Sequence, residues 1–227
     1  MKKPFVLFYA KCPMKQQRIF PQNGLAKLLT SSWSIMRELQ RLSIPVVRES
    51  VPVLYFGNLQ QYLSSPLRVI TAALNPSANE FPEKQRDMRF PGASEASQKT
   101  HFAALNRYFD SGHQPLWEWF VHFDALLEGM ECGFGAGRRS RAVHTDLCSP
   151  IATQPTYSGL TPQQQRDLER LGMPLWSELA ELVDPDVIVM SGGVSMRDRV
   201  AAFVDAEWVR IFGDGRKSVH LAEIDVW

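Results

Sequence analysis

Asn75 is the residue of this sequence best placed to do chemistry. It closes the run Arg68-Val69-Ile70-Thr71-Ala72-Ala73-Leu74 and is followed by Pro76-Ser77. An apolar, partly β-branched run bounded by turn residues suits a buried strand of a parallel sheet. Pro76 has no N–H to give to a ladder, so the strand should stop at Asn75. Ligands of open α/β sheets bind in the crevice beyond the carboxyl ends of the strands, and the Asn75 amide is expected there. Taken alone, Asn-Pro is also an ordinary turn signal. A second stretch of the same kind is Val143-His144-Thr145-Asp146-Leu147-Cys148-Ser149-Pro150. Its Asp146 is either an acceptor for a ligand or a capping or salt-bridging carboxylate at a strand end. Arg138, Arg139 and Arg141, with Lys84, Arg86 and Arg89 in the loop after Asn75, could contact phosphates near a pocket mouth. Such contacts fix register without reading sequence, and solvated loops explain the same charges. Ser195 and Arg197 follow the apolar run Asp186–Met190, where helix N–H groups could hold another phosphate.

The order of these motifs carries a resemblance. The strand ending in Asn75-Pro76-Ser77, then Arg89-Phe90-Pro91-Gly92, then Val143–Pro150, then Leu160-Thr161-Pro162 resembles the uracil-DNA glycosylase superfamily. The likeness is greatest to its single-strand-selective monofunctional branch, with its Gly-Met-Asn-Pro-Gly, Pro-Phe-Gly, Val-His-Asn-Leu-Cys-Pro and Leu-Thr-Pro motifs. It extends from about Trp33 to about Val204. The resemblance implies an enzyme, a monofunctional DNA glycosylase that hydrolyses the N-glycosidic bond of a flipped base and leaves an abasic site. The implied partner is DNA and the implied setting DNA repair; defence against phage with modified DNA is the expectation if the base is a modified cytosine. No cofactor or metal is implied, and a monomer is expected.

That reaction passes through an oxocarbenium-like sugar, so the enzyme must stabilise charge on the departing base and place a water behind C1′. The base must first leave the stack for a pocket. By resemblance Asn75 positions the water, its carbonyl accepting from the water while its NH₂ is tied to the backbone. Pro76 and Ser77 line the base pocket, and Phe90 stacks on the base. Phe90 as an ordinary core aromatic is the competing reading.

Two departures from the family stand out. Where uracil-reading relatives carry an Asn, this chain has Thr145-Asp146 and one extra residue before the proline. Anchoring on Leu147-Cys148 puts Asp146 in the reading position, and anchoring on Val143-His144 puts Thr145 there. An ionised Asp only accepts; it would repel O4 of uracil but could accept from N4–H₂ of cytosine, a discrimination of about 1–3 kcal/mol. A cytosine-derived or otherwise modified base is therefore expected beside a uracil-like one. The second departure is the absence of the family's His-Pro-Ser motif after Phe212, where the only histidine is His220. Either the motif is replaced, or the chain stops before it, or catalysis is lost; the last leaves a module that binds DNA or a flipped base as the alternative. An unrelated α/β hydrolase lacks support, since no Gly-x-Ser-x-Gly elbow occurs.

The elements that must position these residues follow from periodicity and breakers. At 227 residues, 44% hydrophobic and 22% charged, the chain suits one α/β domain. The expected architecture is a three-layer sandwich with a central, mostly parallel four-stranded sheet. Its strands are expected at about 68–74, 141–147, 186–190 and 208–212, with 217–226 as a hairpin partner to the last. Leu25 to Leu42 carries a helical stripe. Helices are also expected at about 99–110 and 115–129, the latter with Trp117, Trp119, Phe120 and Phe123 as core. A further helix is capped by Thr161 and reaches Val183, and another is capped by Ser195. Residues 1–23 read as an irregular arm. Residues 75–98 form a long loop of the kind that is usually functional or disordered.

A net charge of +1 advertises no nucleic-acid partner globally, so DNA binding must rest on a local patch. Cys12, Cys132 and Cys148 are odd in number and widely spaced, which argues for a reducing, cytoplasmic compartment and against zinc or an iron–sulfur cluster. Lys2–Ala10 mimics a signal peptide but runs into Lys11 and Pro13 in place of a small-residue cleavage site. No apolar run approaches a membrane span.

Overall fold

A computed structural model describes residues 5–10, 22–82, 89–110, 115–191, 209–212 and 219–224. Seven strands among these residues form one sheet. In spatial order they are β3 (Cys132–Gly133), β4 (Ser140–Asp146), β2 (Val69–Ala73), β5 (Val187–Ser191), β1 (Phe5–Ala10), β7 (Val219–Ile224) and β6 (Val209–Phe212). The first four run parallel to one another. β1 lies antiparallel to β5 and parallel to β7, and β6 closes the far edge antiparallel to β7.

The expected α/β sandwich around four parallel strands is the architecture observed, with two changes in membership. The fourth parallel strand is the two-residue β3, whereas 209–212 forms a hairpin with 219–224 at the other edge. The stretch read as an irregular arm contains β1, inserted between β5 and β7. Its run Phe5-Val6-Leu7-Phe8-Tyr9 is continuous rather than alternating, so no period of two marks it as a strand. That continuity is also why it resembles a signal-peptide core.

Helices cover both faces. α1 (Gln22–Arg41) buries Leu25, Leu28, Leu29, Met36 and Leu39 and packs against α5 (Pro162–Val183). Thr161 caps α5 in a reciprocal box: Gln164 N–H donates to its hydroxyl at 3.3 Å and Thr161 N–H donates to Gln164 Oε1 at 3.0 Å. Pro162, whose missing N–H would be unpaired there in any case, opens the helix. α5 meets the sheet through Trp176, whose Nε1–H donates to Thr145 Oγ1 at 3.1 Å. It also approaches the segment after β4 so closely that a Cβ on Gly172 would stand 2.0 Å from the Cys148 carbonyl oxygen. The opposite face is covered by α4 (Trp117–Gly129), whose Phe120 and Phe123 rings touch His144. The short helices α2 (Leu59–Leu63) and α3 (Gln98–Asn106) complete the set of described helices. Residues 51–56 run along the open flank of β4, where Phe56 and His144 exchange both backbone hydrogen bonds. No helix among the described residues is long and apolar enough to cross a membrane.

The amino ends of the strands are locked by charge. The Arg68 guanidinium donates to Asp184 Oδ2 at 2.9 Å, and the Arg68 N–H donates to Asp186 Oδ2 at 2.7 Å. Both side chains of the ion pair are nearly buried.

Candidate functional site

β2 and β4 are adjacent and in register, with Ala73 opposite Asp146. Pairing continues past them, since the N–H groups of Leu147 and Cys148 donate to the carbonyls of Ala73 and Leu74 at 2.9 and 2.8 Å. Asn75 therefore emerges one residue beyond the ladder, beside the end of β4. The two strand ends open into a cleft of about 400 Å³ lined by Asn75, Pro76, Ser77, Glu80, His144 and Asp146. Phe56, Trp119, Phe120 and Tyr157 supply its aromatic walls. Its size lies in the range of small-molecule sites, roughly 300–1,000 Å³.

The Asn75 amide is fixed from several sides. Its Nδ2 donates to Thr153 Oγ1 at 2.9 Å, to the Pro76 carbonyl at 3.1 Å and to the Ile151 carbonyl at 3.4 Å. Its Oδ1 accepts the Tyr157 N–H at 3.0 Å. One acceptor position remains on that oxygen, because a carbonyl has two. The segment 151–157 holds Asn75 through three of these bonds, and the backbone around Thr153 bridges Ser77 and Val46. Ser77 Oγ accepts the Asn79 N–H at 3.2 Å, capping a single turn of 3-10 helix over 78–80. That turn swings Glu80 into the cleft.

Alternation along β4 decides between the two anchorings left open by the sequence. His144 and Asp146 face the cleft, and Thr145 points to the opposite face. There Thr145 is buried, donating to the Thr71 carbonyl at 3.3 Å and accepting from Trp176. Thr145 is thus no part of the cleft, and the position beside Asn75 belongs to Asp146. Asp146 is 5% exposed. His144 Nε2 lies 3.9 Å from its Oδ1, beyond hydrogen-bond reach. Burial first, and the nearby Glu80 second, raise its carboxyl well above the usual carboxylate range. Burial therefore favours the protonated form of Asp146, which has one O–H donor as well as acceptors. A neutral acid can donate to O4 and accept from N3–H of uracil, or accept from N4–H₂ and donate to N3 of cytosine.

His144 is neutral as well, since burial pushes it down to about 3. Its Nδ1 lies 2.7 Å from Thr71 Oγ1. Glu80 is 4% exposed; Tyr108 O–H donates to its Oε2 at 2.7 Å, and Arg89 Nη1 lies 3.6 Å from the same oxygen. Burial raises Glu80, and Tyr108 and Arg89 act against that rise.

Other expected site residues lie elsewhere. Phe90 is 2% exposed, stacks on Phe81 and Tyr108 with centroids 5.4 and 5.3 Å away, and does not line the cleft. It is a core aromatic. Arg138, Arg139 and Arg141 flank the amino end of β4, about 20 Å along the strand from Asp146 at 3.3 Å per residue. Arg138 and Arg139 pair with Glu128 and Glu131, and Arg141 binds Gln61 Oε1 and the Phe134 carbonyl. They line a separate shallow hollow and cannot hold phosphates at this cleft mouth. Ser195, Arg197, Lys84 and Arg86 lie outside the described residues. His220 is the second residue of β7, three strands across from β2, or about 14 Å at 4.8 Å per strand.

The sequence reading missed Glu80, Tyr157 and Trp119. Only Glu80 left a signal, an acid five positions after Asn75 in a segment already marked by its length. Trp119, expected in the core, is half-buried and lines the cleft, and Trp117 is exposed, whereas Phe120 and Phe123 are core as expected. Compared with protein-family models, with curated proteins and with solved structures, the chain matches none.

Proposed function

We propose that this chain is a monofunctional DNA glycosylase. It binds a flipped uracil-like or modified, cytosine-derived base in the Asn75–Asp146 cleft and hydrolyses the N-glycosidic bond, leaving an abasic site. The observation that carries this reading is the meeting of Asn75 and Asp146, from motifs 71 positions apart, at one cleft beyond the carboxyl ends of adjacent parallel strands. An amide locked by neighbours on its nitrogen side, with one oxygen lone pair left, is suited to orient a water. In its protonated form, which burial favours, Asp146 can pair with the base edge. Trp119 and Tyr157 take the stacking role first expected of Phe90, each stacked base contributing about 1–3 kcal/mol with little base preference. Arg89, next to Glu80, is the described cation beside the cleft. Repair of deaminated DNA and defence against phage carrying modified bases both need this chemistry.

One observation favours a second reading. The Asn75 amide makes four hydrogen bonds to its own loops, as a purely structural Asn would, and a module that binds the base without cleaving it would be built this way too. Incubation with oligonucleotides carrying uracil, cytosine and modified cytosines, followed by alkali, separates the two. Strand breaks that vanish in Asn75→Ala while DNA affinity persists support the glycosylase. Retention of DNA with no breaks from the unaltered protein supports the binding module.

A further inference from the structure

Two buried carboxyl groups, Glu80 and Asp146, face the cleft beside the exposed Glu118, and their surroundings differ. Glu80 receives a hydrogen bond from Tyr108 and has Arg89 within ion-pair distance, so its ionised form has partners. Among the described residues no hydrogen bond reaches the Asp146 carboxyl, and its flanking His144 is a neutral imidazole held from the other side by Thr71. Paired acids in unlike environments are how hydrolases divide an acid from a base. Glycosidases that break a C1–O bond with an attacking water use such a pair, one carboxyl for the leaving group and one for the water.

We infer that Glu80 and Asp146 form a divided carboxyl pair: Glu80 is the base that takes a proton from the attacking water, and Asp146 is the acid that gives one to the departing base. The inference rests on the glycosylase reading and supplies the basic group that an amide cannot. Asn75 aligns the water but has no basic site. Glu80, at the end of the turn that Ser77 caps, brings a carboxylate to the same cleft. The C1′–N bond breaks with its electron pair going to the base, which takes the Asp146 proton. The water oxygen bonds to C1′ and its released proton passes to Glu80. The products are the free base and the abasic sugar, and proton exchange with solvent returns each carboxyl to its starting form. The raised position of Asp146 agrees with the role of acid.

The groups facing the pair are His144 on β4, Arg89 and Tyr108 behind Glu80, Glu118 at the start of α4, and Tyr157, whose hydroxyl is engaged by Glu169. Glu80 must be ionised, so activity falls as pH drops through its pKa. Asp146 must be protonated, so activity falls again as pH rises through its own.

The test that needs neither a variant nor a substrate is a titration of the unaltered protein, following the side-chain carboxyl carbons by NMR. Glu80 should ionise first, with Asp146 still protonated at neutral pH. Asp146 ionising at or below Glu80 overturns the inference. On a substrate that is cleaved, Glu80→Gln should lower kcat/KM by about 10²–10⁴-fold and abolish the acidic limb of the pH profile while DNA affinity holds. Asp146→Asn should abolish the basic limb. An acidic limb that persists in Glu80→Gln removes Glu80 as the base even if excision itself is confirmed. Absence of excision from every oligonucleotide removes the glycosylase reading and the catalytic roles with it, whatever order of ionisation the titration gives.

Discussion

The two ends of the same strands are built to different rules. At the amino ends Arg68 is held by Asp184 and Asp186, and the N–H groups of Leu67 and Arg141 donate to the hydroxyls of Ser140 and Ser65. At the carboxyl ends two acids and a histidine are buried around a cleft, and burial drives Asp146 and His144 toward their neutral forms. A buried group kept from its preferred charge costs stability. The comparison teaches where this fold is braced and where it tolerates expense. Local rules broken at one edge and obeyed at the other are what a functional edge looks like.

The largest expected effects come from disrupting the braced parts. Arg68→Met breaks the nearly buried ion pair with Asp184 and should lower unfolding free energy by about 3–5 kcal/mol, measured by urea denaturation. Phe90→Ala should cost about 3–5 kcal/mol, the usual loss for a truncated core aromatic. A neutral change in stability together with weakened DNA binding would return Phe90 to the site. Gly172→Ala drives a methyl into the Cys148 carbonyl and should cost about 1–3 kcal/mol by overpacking, visible as a lower midpoint.

A smaller effect with the opposite sign belongs to the cleft. The Asp146 pKa is raised in the folded protein, so between its unfolded and folded values the native state holds a proton the unfolded chain lacks. Stability therefore falls as pH rises through that window. Asp146→Asn removes this dependence and should stabilise the protein at neutral and alkaline pH; a loss of stability there would mean that the carboxyl has a partner. For His144 the sign reverses: with a folded pKa of about 3, stability is lost as pH falls from its ordinary value toward that point. The smallest effects are at the basic hollow. Arg138→Gln and Arg139→Gln remove exposed ion pairs, generally worth about 0–1 kcal/mol, and should leave DNA affinity at the cleft unchanged.

Much of this was legible in the sequence because it is local. Thr161-Pro162 announced the start of α5, the Val69–Ala73 run with Pro76 the end of β2, and the stripe from Leu25 to Leu42 announced α1, which ends at Arg41 and leaves Leu42 exposed. The misreadings came from properties that only the fold decides. Phe90 stacks on Phe81 and Tyr108, partners that its own neighbourhood does not announce. Arg138 and Arg139 precede β4 and Arg141 lies in its first residues, at the end away from the cleft, because residue type says nothing about direction along a strand. Asp146 reads from the sequence as an ordinary carboxylate, and only the fold supplies the burial that raises it. β1 escaped notice because its apolar run is continuous and has no alternation to detect.

The central claim is tested most directly by mass spectrometry of the products formed when the unaltered protein meets single-stranded oligonucleotides carrying uracil or modified cytosines. The account predicts a free base together with a strand lighter by that base and heavier by one water. Every strand recovered at its starting mass, from protein shown to bind it, would contradict the account.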